Sequence, residues 1–167
     1  RAVLRERSVA AFERYEKLGT LQNAVTYVAI AAAISGVLSL AQGPGAFLIN
    51  VLGTVLGFVV FVYIVHWWGS RRGGTGTLDE VAYSFALFWA PLAVLSAAAA
   101  LLLVITLVGV LLLPALLIVM LVANVWFAYL ATQASLNLPP GRSTWLVLIV
   151  AGLMAFLVNV VIGLALA

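Results

Sequence analysis

The chain has 167 residues, of which 66% are hydrophobic and only 8% are charged, with a mean hydropathy of +1.25. A soluble domain is about 45–50% apolar and about 25% charged, so these values exclude a water-soluble globular protein. The net charge of +3 comes from basic residues between long apolar runs, which points to membrane orientation rather than to nucleic-acid binding. The absence of cysteine excludes disulfides, thiolate metal sites and cysteine nucleophiles.

Residues 1–19 form the only clearly polar stretch, and we expect them to be a cytoplasmic or interfacial segment. Leu4, Ala11, Tyr15 and Leu18 recur at helical spacing. The charged residues lie mostly on the opposite face, and they are Arg5, Glu6, Glu13, Arg14, Glu16 and Lys17. This pattern predicts a short amphipathic helix in the membrane interface, with a plain cytoplasmic lead-in as the alternative.

Residues 20–167 read as one membrane domain, because a membrane span needs about 20 mainly apolar residues. The uncharged stretch from Ala97 to Ala134 is too long for one crossing at about 1.5 Å per residue, so it must turn. We expect the turn at Thr106–Leu113, around Gly109. The sequence therefore predicts an all-α integral membrane protein, a bundle of five transmembrane helices with a short N-terminal helix. The expected spans are about 21–41, 47–68, 79–105, 110–132 and 144–166.

The basic residues give the orientation of these spans. All eight Lys and Arg fall in segments 1–19, 69–80 and 135–143, which five spans would place on one side of the membrane. Basic loops face the cytoplasm, so we expect a cytoplasmic N-terminus and a C-terminus on the opposite side. The richness in Arg, Ala, Val, Leu and Gly is typical of a GC-rich bacterial genome and points to the bacterial cytoplasmic membrane.

Three asparagines, Asn50, Asn124 and Asn159, are the strongest polar residues inside the predicted spans. Asparagines in membrane helices can form hydrogen bonds between helices, which are worth about 0.6–2 kcal/mol each. The alternative is a polar groove for a lipid headgroup or a solute. We therefore treat these residues as a candidate intramembrane polar cluster.

Helix packing is predicted at three positions. Gly53 and Gly57 form a G-x-x-x-G pattern in the second span, which lets another helix approach closely; packing within the bundle is the first interpretation and dimerisation the second. Pro91 lies in the middle of the third span, where it removes a backbone hydrogen bond and should kink the helix.

Four basic residues are the candidate contacts with lipids or partners. Arg71 and Arg72 lie in the loop after the second span, and Arg14 and Lys17 lie in the N-terminal segment. A basic residue near a membrane surface attracts anionic headgroups by about 1 kcal/mol. The expected partners are membrane lipids, other membrane proteins or a second copy of the chain, and no nucleic acid.

No catalytic constellation occurs in the sequence. There is no G-x-S-x-G, no H-E-x-x-H and no phosphate-binding Walker loop. His66 is the only histidine and lies beside Trp67 and Trp68, as expected for an aromatic belt at the membrane interface. We therefore expect no enzyme activity, no cofactor and no metal site.

Short motifs in the cytoplasmic loop and the third span carry a family resemblance. Gly73-Gly74-Thr75-Gly76-Thr77 is followed by Val81-Ala82-Tyr83-Ser84 and by Ala90-Pro91, and Trp126 lies in the fourth span. From about Ala11 to Ala167, the chain resembles the Yip family of Ypt-interacting membrane proteins, especially its bacterial members.

The resemblance implies a five-span bundle with a cytoplasmic N-terminus and a protein that binds membrane partners. Eukaryotic Yip proteins bind prenylated small GTPases, partly through a longer N-terminal region. This chain has only about twenty residues there and lacks the Asp-Leu-Tyr-Gly-Pro signature, so GTPase binding is not carried over.

The expected function is that of a non-enzymatic polytopic membrane protein of the Yip type. It would act as an adaptor or complex subunit by binding membrane proteins or lipids. The alternative is translocation of a lipid or small solute through a polar groove within the membrane.

Overall fold

A computed structural model describes residues 2–166 of the chain. Within these residues it contains seven α-helices and no strand. The helices are α1 (Ala2–Glu6), α2 (Val9–Tyr15), α3 (Leu21–Ser35), α4 (Pro44–Arg71), α5 (Leu78–Ile105), α6 (Leu113–Leu136) and α7 (Arg142–Leu166). Short 3-10 segments follow α2, α3 and α5, at Glu16–Leu18, Gly36–Gln42 and Leu107–Leu112.

Local sequence signals explain where the long helices begin and end. Thr20 caps α3 by accepting a hydrogen bond from the Asn23 amide at 3.3 Å. Thr77 and Glu80 form a reciprocal capping box at the start of α5. Asn137 ends α6 in the left-handed conformation, with φ of 53°, which asparagine tolerates better than most residues.

Four helices are long and apolar enough to cross a membrane by themselves. Their candidate spans are Pro44–Arg71, Leu78–Ile105, Gly109–Leu136 and Arg142–Val161. The helix α3 has 15 residues, or about 22 Å, and the seven residues of the following 3-10 segment add about 14 Å. Together they are long enough for a hydrocarbon core of about 30 Å, so the bundle has four spans, or five if this bent N-terminal part also crosses.

The long helices pack into one bundle. The helix α3 packs against α5 and α4, α4 packs against α7, and α5 packs against α6. The buried core includes Phe58, Val62, Phe85, Phe88 and Val147, while large apolar side chains cover much of the outer surface of the helices. Such a surface is stable in lipid and not in water. The predicted all-α membrane bundle is thus confirmed.

The loops that carry the basic residues meet at one end of the bundle. The Thr75 amide donates to the Leu136 carbonyl at 3.0 Å, and Asn137 Nδ2 donates to Thr75 Oγ1 at 3.0 Å. The Leu21 amide donates to Asp79 Oδ1 at 2.7 Å. We call residues 2–20, 70–79 and 135–143, which lie at these loops, the basic end.

The N-terminal segment is two short helices rather than one. The break falls at Arg7, whose φ is 49°, and Ser8 caps α2 through the Ala11 amide at 3.3 Å. The stretch Val9–Leu18 turns by 108° relative to α3, and its apolar face packs on α5 and α6. Ala11 and Phe12 are fully buried there, so this face meets protein instead of the membrane interface.

Candidate functional site

A cavity of about 690 Å³ lies between the last four helices. This volume is within the range of about 300–1,000 Å³ that is common for sites of small molecules. The lining residues lie on α4 to α7, and they are Thr54, Gly57, Phe58, Phe61, Phe85, Phe88, Trp89, Asn124, Val125, Ala128, Trp145, Leu148, Ile149, Gly152, Leu153, Ala155 and Asn159. None of these residues is acidic or basic, so the cavity suits an uncharged group.

Two of the three candidate asparagines line this cavity. Asn124 lies on α6 and Asn159 on α7, and both contribute to the wall. Asn50 is not among the lining residues, and its Oδ1 atom lies at the contact between α4 and the start of the 3-10 segment, beside Gly36. The structure therefore brings two of the asparagines together and leaves the third at a helix contact.

Hydrogen bonds fix the orientation of both cavity asparagines. Asn124 Nδ2 donates to the Met120 carbonyl at 2.8 Å, and Asn159 Nδ2 donates to the Ala155 carbonyl at 2.9 Å. Each bond stays within one helix, so the asparagines do not join two helices. The Oδ1 atoms remain as acceptors, because a carbonyl oxygen has two lone pairs.

The predicted G-x-x-x-G lies beneath Asn159. Gly53 and Gly57 are both buried on α4. A Cβ atom at Gly57 would lie 2.7 Å from Asn159 Nδ2, and one at Gly53 would lie 3.4 Å from Asn159 Oδ1. The two glycines thus face α7 within the bundle. Pro91 is exposed on α5, which continues through it from Leu78 to Ile105.

Aromatic rings form the part of the cavity nearer the basic end. Phe61 and Phe85 pack edge to face with centroids 5.0 Å apart, and Phe85 and Phe88 lie 5.6 Å apart. Phe58 and Trp89 are 6.3 Å apart. These rings give one apolar, aromatic part of the cavity wall.

The cavity opens sideways at α6 and α7, because its exposed lining residues include Val125 on α6 as well as residues on α7. Ile149 and Leu153 on its rim are 54% and 59% exposed. At the part of the rim nearer the basic end, Tyr129 and Trp145 stack with centroids 4.8 Å apart. The Gly141 amide donates to the Tyr129 hydroxyl at 3.0 Å. The opening therefore faces the apolar surroundings of the bundle rather than the loops.

The candidate basic contacts lie at the basic end, outside the cavity. The Arg71 guanidinium lies 3.9 Å from the Trp67 ring centroid, and Arg72 lies 5.7 Å from Trp68. Both arginines are exposed, as is Lys17. Arg14 is exposed and pairs with Glu6 at 3.5 Å. All four candidate residues therefore lie on the surface of the described structure.

Glu16 departs from the sequence expectation. Helical spacing put it on the polar face, but its side chain is only 5% exposed, because the 3-10 segment packs on α5. Its Oε2 atom has no hydrogen-bond partner among the described residues. Burial, with the Glu80 and Glu13 carboxylates, raises the pKa of Glu16 to about 7, against a lowering by Lys17.

Two further features were missed in the sequence. The stacking of Tyr129 on Trp145 was not predicted from the sequence. Aromatic residues near the facing ends of two consecutive spans are a signal for such a stacked pair. Glu16 had no sequence signal, because the packing that buries it joins distant segments. Within residues 2–166, no cluster of His, Asp and Glu could hold a metal ion.

The chain matches no known family model, no curated protein and no solved structure.

Proposed function

We propose that this protein is a non-enzymatic polytopic membrane protein of the Yip type that binds one apolar lipid chain in the cavity between α4 and α7. Lipid binding of this kind would serve a role as an adaptor or complex subunit in the membrane. The observation that supports it is the cavity itself, which is uncharged, aromatic on one wall and open sideways toward lipid. The resemblance of the loop and α5 motifs to the Yip family supports the same class of protein.

The dimensions of the cavity favour a chain over a compact solute. Trp145 and Asn159 both line it, and they are separated by fourteen residues of α7, or about 21 Å of helix. This is a large part of a hydrocarbon core of about 30 Å. A chain that enters between α6 and α7 would leave water-exposed headgroup atoms outside the cavity.

The orientation belongs to the same proposal. We place the basic end in the cytoplasm of a bacterium, because basic residues concentrate on the cytoplasmic side of membrane proteins. Arg71 and Arg72 would then meet anionic headgroups of the inner leaflet, with Trp67 and Trp68 at the interface.

A matched pair of substitutions on α7 tests chain binding. Gly152 lines the cavity, and a Cβ atom added there would meet no atom within 4 Å. We expect the Gly152→Trp variant to fill the cavity and to retain much less lipid than the natural protein after gentle extraction and mass spectrometry. Leu157→Trp is the control, because Leu157 is exposed on the same helix and does not line the cavity.

The result separates the parts of the proposal. Equal lipid content in the natural protein and both tryptophan variants would contradict chain binding in this cavity. Joint substitution of Arg71→Gln and Arg72→Gln should change which headgroups are retained while chain binding persists. If it changes nothing, the arginines are not headgroup contacts.

Translocation of a lipid or small solute is the second candidate, and the presence of Asn124 and Asn159 in one cavity favours it. Polar groups at membrane depth lower the cost of moving a polar headgroup past them. Reconstituted vesicles with a fluorescent lipid in one leaflet distinguish the two functions. Transfer to the other leaflet that stops in Gly152→Trp would support translocation, and retention without transfer would support binding alone.

A further inference from the structure

Glu16 lies where the N-terminal segment meets the bundle. Phe12, one helical turn before it, is fully buried and packs edge to face on Phe88 with centroids 6.1 Å apart. After it, Gly19 approaches the Tyr83 ring so closely that a Cβ atom would overlap the ring. Glu16 therefore lies between two packed contacts, and its Oε2 atom is buried without a hydrogen-bond partner among the described residues.

Every charge near Glu16 can be named from the elements around it. The 3-10 segment Glu16–Leu18 packs on α5 and α2. Glu80 faces it from α5 and Glu13 from α2, and both oppose its ionisation, whereas its chain neighbour Lys17 favours it. Asp79 on α5 is held by the Leu21 amide at 2.7 Å. No cation outside its own segment acts on Glu16 in the described structure.

We infer that Val9–Leu18 is a proton-sensitive latch, which docks on α5 and α6 when Glu16 is protonated and is released as Glu16 ionises. A buried carboxylate that lacks a partner and faces two other carboxylates is unfavourable. Protonation removes this cost, and so does moving the segment into water. The docked and released forms of the segment are therefore linked to pH.

The direction of the effect follows from the raised pKa. An exposed Glu16 titrates near 4.5, and the docked one near 7. Docking takes up a proton between these values, so it is strongest at low pH and weakens by up to about tenfold per pH unit as pH rises through this window. Above about pH 7 the weakening stops, because Glu16 is ionised in both forms.

The latch bears on the cavity through one side chain. Phe88 touches Phe12 on one side and lines the cavity on the other. Release of the segment would uncover Phe88 and loosen the aromatic wall near the basic end. This consequence rests on the proposed function of the cavity, whereas the latch itself does not.

The lack of native cysteine gives a direct test. Ala11 is fully buried on the packed face of the segment, so a thiol in the Ala11→Cys variant reacts with a maleimide only when the segment opens. We compare this variant with Ala11→Cys/Glu16→Gln in detergent without added lipid. The ratio of the two labelling rates cancels the ionisation of the thiol and should rise about tenfold from pH 6 to pH 8.

A constant ratio across this pH range would overturn the inference. Substitutions of two exposed neighbours keep the test decisive if Glu16→Gln fails to fold. In the Ala11→Cys background, Glu13→Gln should lower the pH at which the labelling rate is half-maximal, and Lys17→Gln should raise this pH. The reference for both variants is the labelling rate of Ala10→Cys, whose thiol is exposed. An unchanged pH of half-maximal labelling in both variants would also overturn the latch. If lipid retention fails while the ratio rises, the latch stands and only the proposed function falls.

Discussion

Gly57 is the residue that allows α4 and α7 to approach each other closely. Its missing side chain leaves space for the Asn159 amide, which is already held by the Ala155 carbonyl at 2.9 Å. In a membrane, helices associate through such close packing because apolar burial gives no advantage over lipid. The contact between these two residues should therefore contribute directly to the stability of the bundle.

We expect Gly57→Ala to destabilise the protein by about 1–3 kcal/mol, because the new methyl group overpacks the contact. Asn159 would have to move and give up its hydrogen bond. Gly152→Ala is the control, since its added Cβ meets no atom within 4 Å, and it should leave stability unchanged or slightly higher. Thermal unfolding in one detergent compares the two variants.

A double substitution assigns the cost to its cause. In the Asn159→Ala background the Gly57→Ala cost should largely disappear, because the colliding amide is gone. The same cost in both backgrounds would mean that another neighbour of Gly57 is responsible.

Residue-scale prediction from the sequence reached the type of contact but not the partner. The spacing of Gly53 and Gly57 indicated a close helix contact, because the pattern is local. The pattern does not contain Asn159, which lies about a hundred residues further along the chain. Glu16 was placed wrongly for the same reason, since helical spacing describes one helix and not the helix that covers it.

At the scale of elements, Asp79 links the starts of two helices. It lies in the first turn of α5, yet its Oδ1 atom accepts the Leu21 amide at the start of α3. The first amides of a helix have no partner within it, so this carboxylate satisfies one of them from another helix. From the sequence alone, Asp79 can be assigned only to the start of its own helix, because the bond to α3 joins residues that are distant in the chain.

We expect Asp79→Ala to cost about 1–2 kcal/mol, as for the loss of a helix cap or of a hydrogen bond to a charged group. Amide hydrogen exchange should become faster at Leu21, while amides in the middle of α5 keep their protection. Asp79→Asn retains the Oδ1 acceptor, so its stability and its exchange rate at Leu21 should lie between those of the natural protein and of Asp79→Ala. Unchanged exchange at Leu21 in Asp79→Ala would show that this bond does not hold α3.

At the scale of the whole molecule, the long membrane helices follow from apolar length, whereas the cavity does not. Backbone groups in lipid must be paired within helices, so the apolar runs between charged loops become helices in almost any arrangement. The cavity depends on which helices are neighbours. The helix α4 packs closely against α7, whereas α6 makes little contact with α7. Asn50 could not be separated from the other two asparagines without that arrangement.

The crossing of α3 decides between four and five spans, and it can be measured with single cysteines. Ala10, Ser70 and Pro140 are exposed at or beside the basic end. Gly45 is exposed in the first turn of α4, and Thr106 is exposed at the C-terminal cap of α5, both at the opposite ends of these helices. A membrane-impermeant maleimide applied to intact cells should label Gly45→Cys and Thr106→Cys. It should reach Ser70→Cys, Pro140→Cys and Ala10→Cys only after the membrane is permeabilised.

Ala10 carries the decision, because α3 separates it from Gly45. If α3 with its 3-10 continuation crosses the membrane, Ala10→Cys is labelled under the same conditions as Ser70→Cys. The N-terminal segment then lies on the side of the membrane from which it can dock on α5 and α6. Labelling of Ala10→Cys together with Gly45→Cys in intact cells would mean that α3 does not cross. The basic residues of the N-terminal segment would then face the outside, and both the cytoplasmic orientation of that segment and its docking on α5 and α6 would be wrong.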